Sequence, residues 1–293
     1  LSQNSADQAK APFVQVLGIA QDGGYPQAGC QRPCCAAAWE ALERRRAVAA
    51  LGIVDPSSGE SWLIDATPDF PEQLATLQQA GGATLAGICL THAHIGHYTG
   101  LIYLGKEAMA THQLPVYVMP RMQAFLCENQ PWRMLCESQY LELNGLSAQN
   151  SQSLNERIEV TPVLVPHRAE FSETIALVVR GPSQRVLWLP DIDRWDAASA
   201  SLEQLLKQVD VAYIDGTFFD DGELVGRSLQ DVPHPTVLQT LERLASLPES
   251  ERAKVRFVHL NHTNPLLDPA STAVTTVGQA GCQVARQGER QLL

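Results

Sequence analysis

The sequence predicts an α/β domain with sheets inside and helices outside, and three observations predict it. Segments of strand and helix pattern alternate along the 293 residues without a composition break, a long linker, an internal repeat or a low-complexity tract. A chain of this length with 45% hydrophobic residues can bury a large core. Histidines or aspartates stand just after predicted strand ends at His92, His167, Asp191, Asp215 and His259. Loops at one edge of a rigid sheet are where such side chains gather into a site.

Taken in order, residues 1–12 read as a flexible, polar tail and 13–293 as one domain. Phe13 to Ile19 (FVQVLGI) is a first strand, and it runs into AQDGGYPQAGC, where Gly23 and Gly24 allow a sharp turn. Ala36 to Arg45 has helical composition. Ala47 to Val54 and Ser61 to Ile64 are strands joined by a turn at Pro56 to Gly59. Ala66 to Ala80 reads as a helix, with Thr67 as cap, Pro68 where a missing N–H costs least, and Gly81 and Gly82 as the stop. The strand Ala86 to Leu90 leads into a histidine cluster and a helix-like stretch, Tyr98 to Thr111. Pro115 to Met119 is a strand, and Met122 to Cys136 is helical with a break at Pro131. Strands follow at Ile158 to Val165, Thr174 to Val179, Val186 to Leu189 and Val211 to Ile214. A helix at Thr236 to Leu247, a strand at Val255 to Leu260, a helix at Pro269 to Gln279 and a strand at Cys282 to Ala285 complete the chain.

Charge and composition exclude several functions. The balance of 21 basic against 32 acidic residues, net −11, disfavours a nucleic-acid partner, which needs clustered Lys and Arg. No apolar run reaches the roughly 18 residues of a transmembrane helix, so no membrane insertion is expected. The start at Leu1 fits a removed leader as well as a trimmed end, and the compartment, cytoplasmic or periplasmic, is left open. A small-molecule substrate is expected, and a homodimer is left open. Three of the seven cysteines crowd at Cys30, Cys34 and Cys35, which suits a metal site better than a disulfide framework. Cys89, Cys127, Cys136 and Cys282 read as ordinary packed residues.

The stretch ICLTHAHIGHYTG, residues 88–100, places His92, His94 and His97 directly after an apolar run. Imidazole is the commonest nitrogen ligand for zinc and similar ions. Residues two apart in an extended segment point to one side, so His92 and His94 can reach one ion. His97 falls near a helix start, where its ring can turn toward a second position.

This order of signals, THAHIGH and then a lone histidine, an aspartate and a late histidine after successive strands, resembles the metallo-β-lactamase superfamily. VLGIAQDGGYPQAGC near the start, DGTFFDDGEL at 215–224 and HLNHTNPLLD at 259–268 are similar to the family of pyrroloquinoline-quinone biosynthesis B proteins, from about Val14 to the C-terminus. The superfamily implies a four-layer αββα sandwich with one or two metal ions at a sheet edge, zinc foremost, with iron and manganese as alternatives. Carried onto this chain, the resemblance has His92, His94 and His167 bind the first ion, Asp191 bridge, and His97 with His259 bind the second. The superfamily motif is HxHxDH, and its aspartate is replaced here by Gly96. That replacement removes an oxygen ligand and a negative charge, so the second ion is expected to bind weakly or not at all. The B proteins proper have lost most of the leading histidines that this chain retains, so metal chemistry is expected here.

The pattern DGTFF followed by HPT resembles the tRNase Z and cyclic phosphodiesterase branch, which gives His234 the part of proton donor to a leaving group. Asp215 is expected to hydrogen-bond a ligand histidine. Asp193 reads as the cap of a helix from Arg194, with a bond to a ligand histidine as the alternative. In the phosphodiesterase branch a CxCxxC-type cluster joins a late histidine in a structural zinc site. Here the spacing is CxxxCC with Arg32 in the middle cysteine's place, so Cys30, Cys34 and Cys35 with His262 are the implied ligands.

The leading function is a metal-dependent hydrolase using a metal-bound hydroxide, with Asp191 orienting it, on a phosphodiester or another small ester or lactone. One alternative is an accessory in quinone-cofactor biosynthesis, of the iron-dependent oxygenase type. Another is a non-catalytic binding protein on the same fold.

Overall fold

The structure, a computed structural model, describes residues 10–81, 84–197, 201–223 and 232–293. The expectations for the tail before Lys10 and for Gly82 lie outside these residues. Fourteen strands among them form two seven-stranded sheets. The first contains β1 (Phe13–Gly18), β2 (Ala50–Asp55), β3 (Glu60–Ile64), β4 (Thr84–Cys89), β5 (Leu114–Val118), β6 (Leu141–Gly145) and β14 (Arg290–Leu292), in the order β14-β1-β2-β3-β4-β5-β6. The second contains β7 (Gln152–Ser153), β8 (Glu159–Leu164), β9 (Ile175–Arg180), β10 (Arg185–Leu189), β11 (Val211–Asp215), β12 (Val255–Val258) and β13 (Gln283–Val284), in the order β13-β12-β11-β10-β9-β8-β7.

Strand periodicity explains the layers. In the first sheet, Val14, Val16, Leu51, Ile53, Trp62, Ile64 and Cys89 point into the core shared with the second sheet. Their neighbours Phe13, Leu17, Ala50, Val54, Leu63 and Ile88 point the other way, onto a cluster with Phe70, Leu74 and Leu77 of the helix Phe70–Gly81. This alternation is the period of two that buries both faces of a strand. Each such Leu or Phe contributes about 1.5–3 kcal/mol by leaving water. In the second sheet Val186, Leu187, Trp188 and Leu189 of β10 are all buried in one continuous core. Sheets inside and helices outside give the four-layer αββα arrangement.

Strand direction decides where the site falls. β3 to β6 run parallel in the first sheet, and β1 runs the same way because two antiparallel steps separate it from β3. β10 to β13 run parallel in the second, and β8 runs with β10 by the same double reversal. The residues that follow the ends of β1, β3, β4, β8, β10, β11 and β12 therefore emerge at one edge. Ala20 stitches that edge by bridging to both Val48 and Leu260.

Several elements differ from expectation. The helix expected over 36–45 runs instead over Pro33–Glu40, followed by a 3-10 turn at Leu42–Arg44. Pro33 occupies the first helical position, where its fixed φ is an asset, so the cysteines at 34 and 35 fall inside the first turn. The helix expected over 98–111 is a single turn at Ile95–Tyr98 and a 3-10 segment at Thr99–Leu104. Gly100 donates its N–H to Ala66 O (2.8 Å), so the backbone there bonds to a neighbouring loop. The short β7 and β14 and the helix Leu202–Leu206 carry too few residues for a legible period, and β6 (LELNG) carries only two apolar side chains. Among the described residues no helix is long and apolar enough to cross a membrane.

Candidate metal centre

Three imidazoles converge at the first position. His92 and His94 follow β4, and His167 follows β8. His92 Nε2 lies 2.9 Å and His167 Nε2 3.1 Å from His94 Nδ1. Tetrahedral ligands about 2.0–2.1 Å from an ion stand about 3.3 Å apart, so the spacing is close to that of a coordination shell. The far nitrogens are braced: His92 Nδ1 is 3.0 Å from Thr91 Oγ1, and His167 Nδ1 is 2.8 Å from Asp193 Oδ1. Such partners fix the ring and leave the opposite lone pair free.

The second position gathers His97, His259, Asp191 and a residue not anticipated, Asp22. Asp22 Oδ1 is 3.2 Å from both His97 Nε2 and His259 Nε2. Asp191 Oδ2 is 3.1 Å and 3.2 Å from the same two nitrogens. His97 Nδ1 is held at 2.8 Å by Asp65 Oδ2, and His259 Nδ1 lies 3.0 Å from Thr217 Oγ1. Asp65 and His259 both have positive φ, at 70° and 63°. A non-glycine residue held there costs about 1–3 kcal/mol, a strain found where surrounding structure aims a functional side chain.

Asp191 joins the two groups. Its Oδ1 is 3.6 Å from His167 Nε2, while Oδ2 is 3.4 Å from His92 Nε2. Oδ2 is buried and accepts no well-aligned hydrogen bond. An orphaned carboxylate oxygen in a buried ring of imidazoles is costly unless a cation shares the space. Burial opposes ionisation of Asp191, but the charges of His259 and His167 and the contact with His97 outweigh it and hold the acid well below the carboxylate range. Burial likewise works against the charged form of His97, yet Asp65, Asp191 and Asp22 together hold it well above the ordinary histidine value. His92 falls well below, driven by burial and then by the His97 charge. His97 and its carboxylate neighbours would hold an ion in place of that proton. The set of nitrogen and oxygen donors thus fits a divalent ion such as zinc, iron or manganese.

Gly96 stands where the motif has its aspartate, and the carboxylate of Asp22 lies beside it against the same two imidazoles. A Cβ at Gly96 would lie 2.6 Å from Asp22 Oδ1 and 2.7 Å from Asp22 Cα. The aspartate therefore fills the space that the missing side chain would take. Asp215 pairs with His234, whose Nδ1 lies 2.7 Å from Asp215 Oδ2 and which joins His167 and Asp191 in a group that could hold an ion. Asp193 makes the bond to His167 that was the alternative to a helix cap. Asp22 and Asp65 went unread although both follow strands, Asp22 in a glycine-rich loop and Asp65 directly after β3.

His234 stands on the first-position side of Asp191. Its ring centroid is 5.4 Å from that of His167, and Nδ1 is 3.8 Å from Asp191 Oδ1. Asp215 is fixed by the N–H groups of Ile192 (3.0 Å) and Thr217 (2.8 Å). Burial would lower the His234 pKa, but the charge of Asp215 and its hydrogen bond prevail and raise it. A cleft of about 300 Å³ opens beside His234, lined also by Arg194, Trp195, Gln239 and Arg243.

The cysteines form a separate cluster. Cys30, Cys34, Cys35 and His262 bring one ligand atom each within 4.8 Å of one another, with His262 Nδ1 3.3 Å from Cys35 Sγ and 3.7 Å from Cys34 Sγ. Burial pushes the Cys35 thiol up to about 12. Burial opposes ionisation of Cys30 too, but hydrogen bonds from the Arg32 backbone and from the neighbouring thiols draw it below the ordinary value. Three sulfurs and an imidazole at this spacing match a tetrahedral structural zinc site.

Two sheets packed face to face, with helices outside and a ligand-bearing edge, define a metal-binding αββα sandwich. The chain belongs to the beta-lactamase superfamily, whose domain matches residues 61–260. Coenzyme PQQ synthesis protein B of Xanthomonas campestris pv. campestris is 26% identical over 303 aligned residues, which span 94% of this chain and 98% of that protein. The Zn(2+)-bound PqqB structure from Methylobacterium extorquens matches with a TM-score of 0.79 at 21% identity, covering 96% of this chain and 100% of the other. A diphosphatase from the PhnP family matches with a TM-score of 0.66 at 20% identity, covering 96% and 97%. The likeness read from the motifs thus extends over 94% of the chain.

Proposed function

We propose that this protein is a metal-dependent hydrolase acting on a phosphodiester or another small ester or lactone. The observation that carries the reading is the buried Asp191 carboxylate, whose oxygens face two groups of imidazoles at 3.1–3.8 Å. His92, His94 and His167 would hold one ion, and His97, His259 and Asp191 bound the adjoining position. When bound, a divalent ion acidifies a water and polarises the oxygen of the bond to be cleaved.

The chain's own residues do the rest. Asp191, kept ionised, accepts a hydrogen bond from the attacking water and sets its direction. His234, charged through its bond to Asp215, keeps the Nε2 proton free for the departing oxygen, the role a general acid needs. Arg168, next to His167, buries an Nε that has no hydrogen-bond partner among the described residues. A cationic side chain adjoining a site residue suits an anionic phosphoryl group. Ile95 and Phe171 remain largely exposed, at 61% and 56%, next to His94 and to Glu170, which reaches His94 at 3.5 Å. They offer an organic substituent an apolar rest. Elemental analysis of the purified protein with bis-p-nitrophenyl phosphate, lactone and β-lactam substrates tests the reading. Stoichiometric metal with chelator-sensitive hydrolysis is expected, and a protein that binds no Zn, Mn or Fe would refute it.

A second reading has one observation in its favour, the match to coenzyme PQQ synthesis protein B along 94% of the chain. Under it the same ligands hold iron in an oxygenase that serves quinone-cofactor synthesis. Iron retained through purification, with oxygen-dependent turnover of a tyrosine-derived compound and no ester hydrolysis, is its signature.

A further inference from the structure

We infer that Asp22 is a metal ligand of the second position, and that the carboxylate which the HxHxDH motif places beside the last histidine has been moved in this chain to the glycine-rich loop after β1. The inference rests on the metal-site reading above and concerns where one ligand comes from.

Geometry carries it. Asp22 Oδ1 is equidistant, at 3.2 Å, from the Nε2 atoms of His97 and His259, and Asp191 Oδ2 meets the same pair from another strand. These four ligand atoms lie within 4.8 Å of one another. Position 96 is closed to any side chain while Asp22 is in place, since a Cβ there would come within 2.8 Å of Asp22 Oδ1, Cα and Cγ. Two of the three are carboxylate atoms and the third is backbone, so rotation of Asp22 cannot relieve the clash. Aspartate at 22 and aspartate at 96 are alternatives for one volume. Glycine at 96 is therefore the partner that Asp22 requires.

The loop is built to hold the carboxylate there. Ala20 bridges to Val48 and Leu260, Gln21 donates its N–H to Leu260 O (2.9 Å), and Gly24 donates to Gln21 O (2.7 Å) with a φ of 69°. A residue with a Cβ resists that φ, which explains a glycine at this turn. Asp22 is thus clamped between the two sheets, directly opposite the single turn that carries Gly96 and His97.

Cobalt titration with visible absorption, alongside elemental analysis, tests the inference without reference to activity. Cobalt at the cysteines shows a thiolate charge-transfer band that cobalt on histidine and carboxylate lacks, so the two regions are counted separately. The wild type is expected to take two ions in the histidine region. Asp22→Asn, nearly isosteric, is expected to lose one of them or to bind it at least about tenfold more weakly. Gly96→Asp alone should lose it too, through the clash, whereas Asp22→Gly combined with Gly96→Asp should regain it. Asp22→Asn that keeps both ions at wild-type affinity overturns the inference, and because that variant leaves Gly96 untouched, its result is decisive even if Gly96→Asp fails to fold. A wild type with no ion in the histidine region would overturn the hydrolase reading and this inference together. One with two ions, both kept by Asp22→Asn, would overturn the inference alone.

Discussion

The two ligand clusters of this protein are built in opposite ways. The histidine and aspartate cluster draws on the ends of β1, β4, β8, β10 and β12, and its members are pinned by partners such as Thr91, Asp65, Asp193 and Thr217. Its geometry is a property of the sheets. The cysteine cluster takes three ligands from one short segment, residues 30–35, with Cys30 and Cys34 only half-buried, and a fourth from the loop after β12. Its sulfurs are met by weaker partners, the Gln27 N–H at 3.5 Å from Cys35 Sγ and one another, while the nearby Trp39 and Tyr25 bonds, both 2.8 Å, go to the backbone carbonyls of Cys30 and Cys34. One cluster takes its shape from several strand ends, the other from one short segment and one loop. Removing a ligand should therefore cost function in the first and stability in the second.

The largest expected effect is on the first cluster. His94→Ala should reduce hydrolysis to background while the melting temperature stays near that of the wild type, because the remaining residues keep their strand-end positions. A large drop in melting temperature would erase the contrast between the clusters. His234→Gln comes next, with turnover of substrates that have poor leaving groups falling about 10²–10⁴-fold. Esters of p-nitrophenol, which depart without a proton, should be affected far less, and equal losses for both would remove the proton-donor role.

On the cysteine side, Cys35→Ser should lower stability by about 3–4 kcal/mol at free ion levels of about 10²–10³ times the dissociation constant, as measured by denaturant unfolding with and without zinc. If the unfolding midpoint of the wild type ignores zinc, the cluster is not held by an ion. The smallest effect concerns Glu223, which accepts a hydrogen bond from Thr263 Oγ1 (2.8 Å) beside His262. Burial raises its carboxyl from 4.5 to about 7. A raised folded-state pKa means a stabilisation present in full below pH 4.5 and lost as pH rises through 7. Melting temperatures taken at pH 5 and pH 8 should fall by a few degrees more in the wild type than in Glu223→Gln.

Much of this was legible in the sequence, because β4, β8, β10 and β12 are apolar runs that stop at a histidine or shortly before a ligand. His92, His94, His167, Asp191 and His259 advertise themselves by that punctuation. Asp22 and Asp65 do not, since aspartates are common in loops and only the three-dimensional edge shows that both lie against His97. Gly96 shows the limit of a motif read along the chain: the carboxylate that lies against His97 and His259 comes from Asp22, 74 positions away in sequence. Asp215 was legible as a residue at this edge, but its partner ring, His234, was not, because strand order fixes which loops meet and not which side chains touch. The short helix after Thr99 was overread, as Gly100 gives its N–H to Ala66 in a contact no local pattern encodes.

The segment between β1 and β2 carries Asp22 and then Cys30, Cys34 and Cys35, and the loop that leaves β12 carries His259 and then His262. Each segment thus touches both clusters, so ions bound at the two are expected to be thermodynamically linked. Order imposed on these loops by an ion at the cysteines need not be imposed again by an ion beside Asp22, and its affinity rises by that saving. Reciprocity requires the same factor in the other direction. Oxidation of the thiols should then register as weaker metal binding at the histidines, and metal loading should rise in a cooperative way as the ion is supplied.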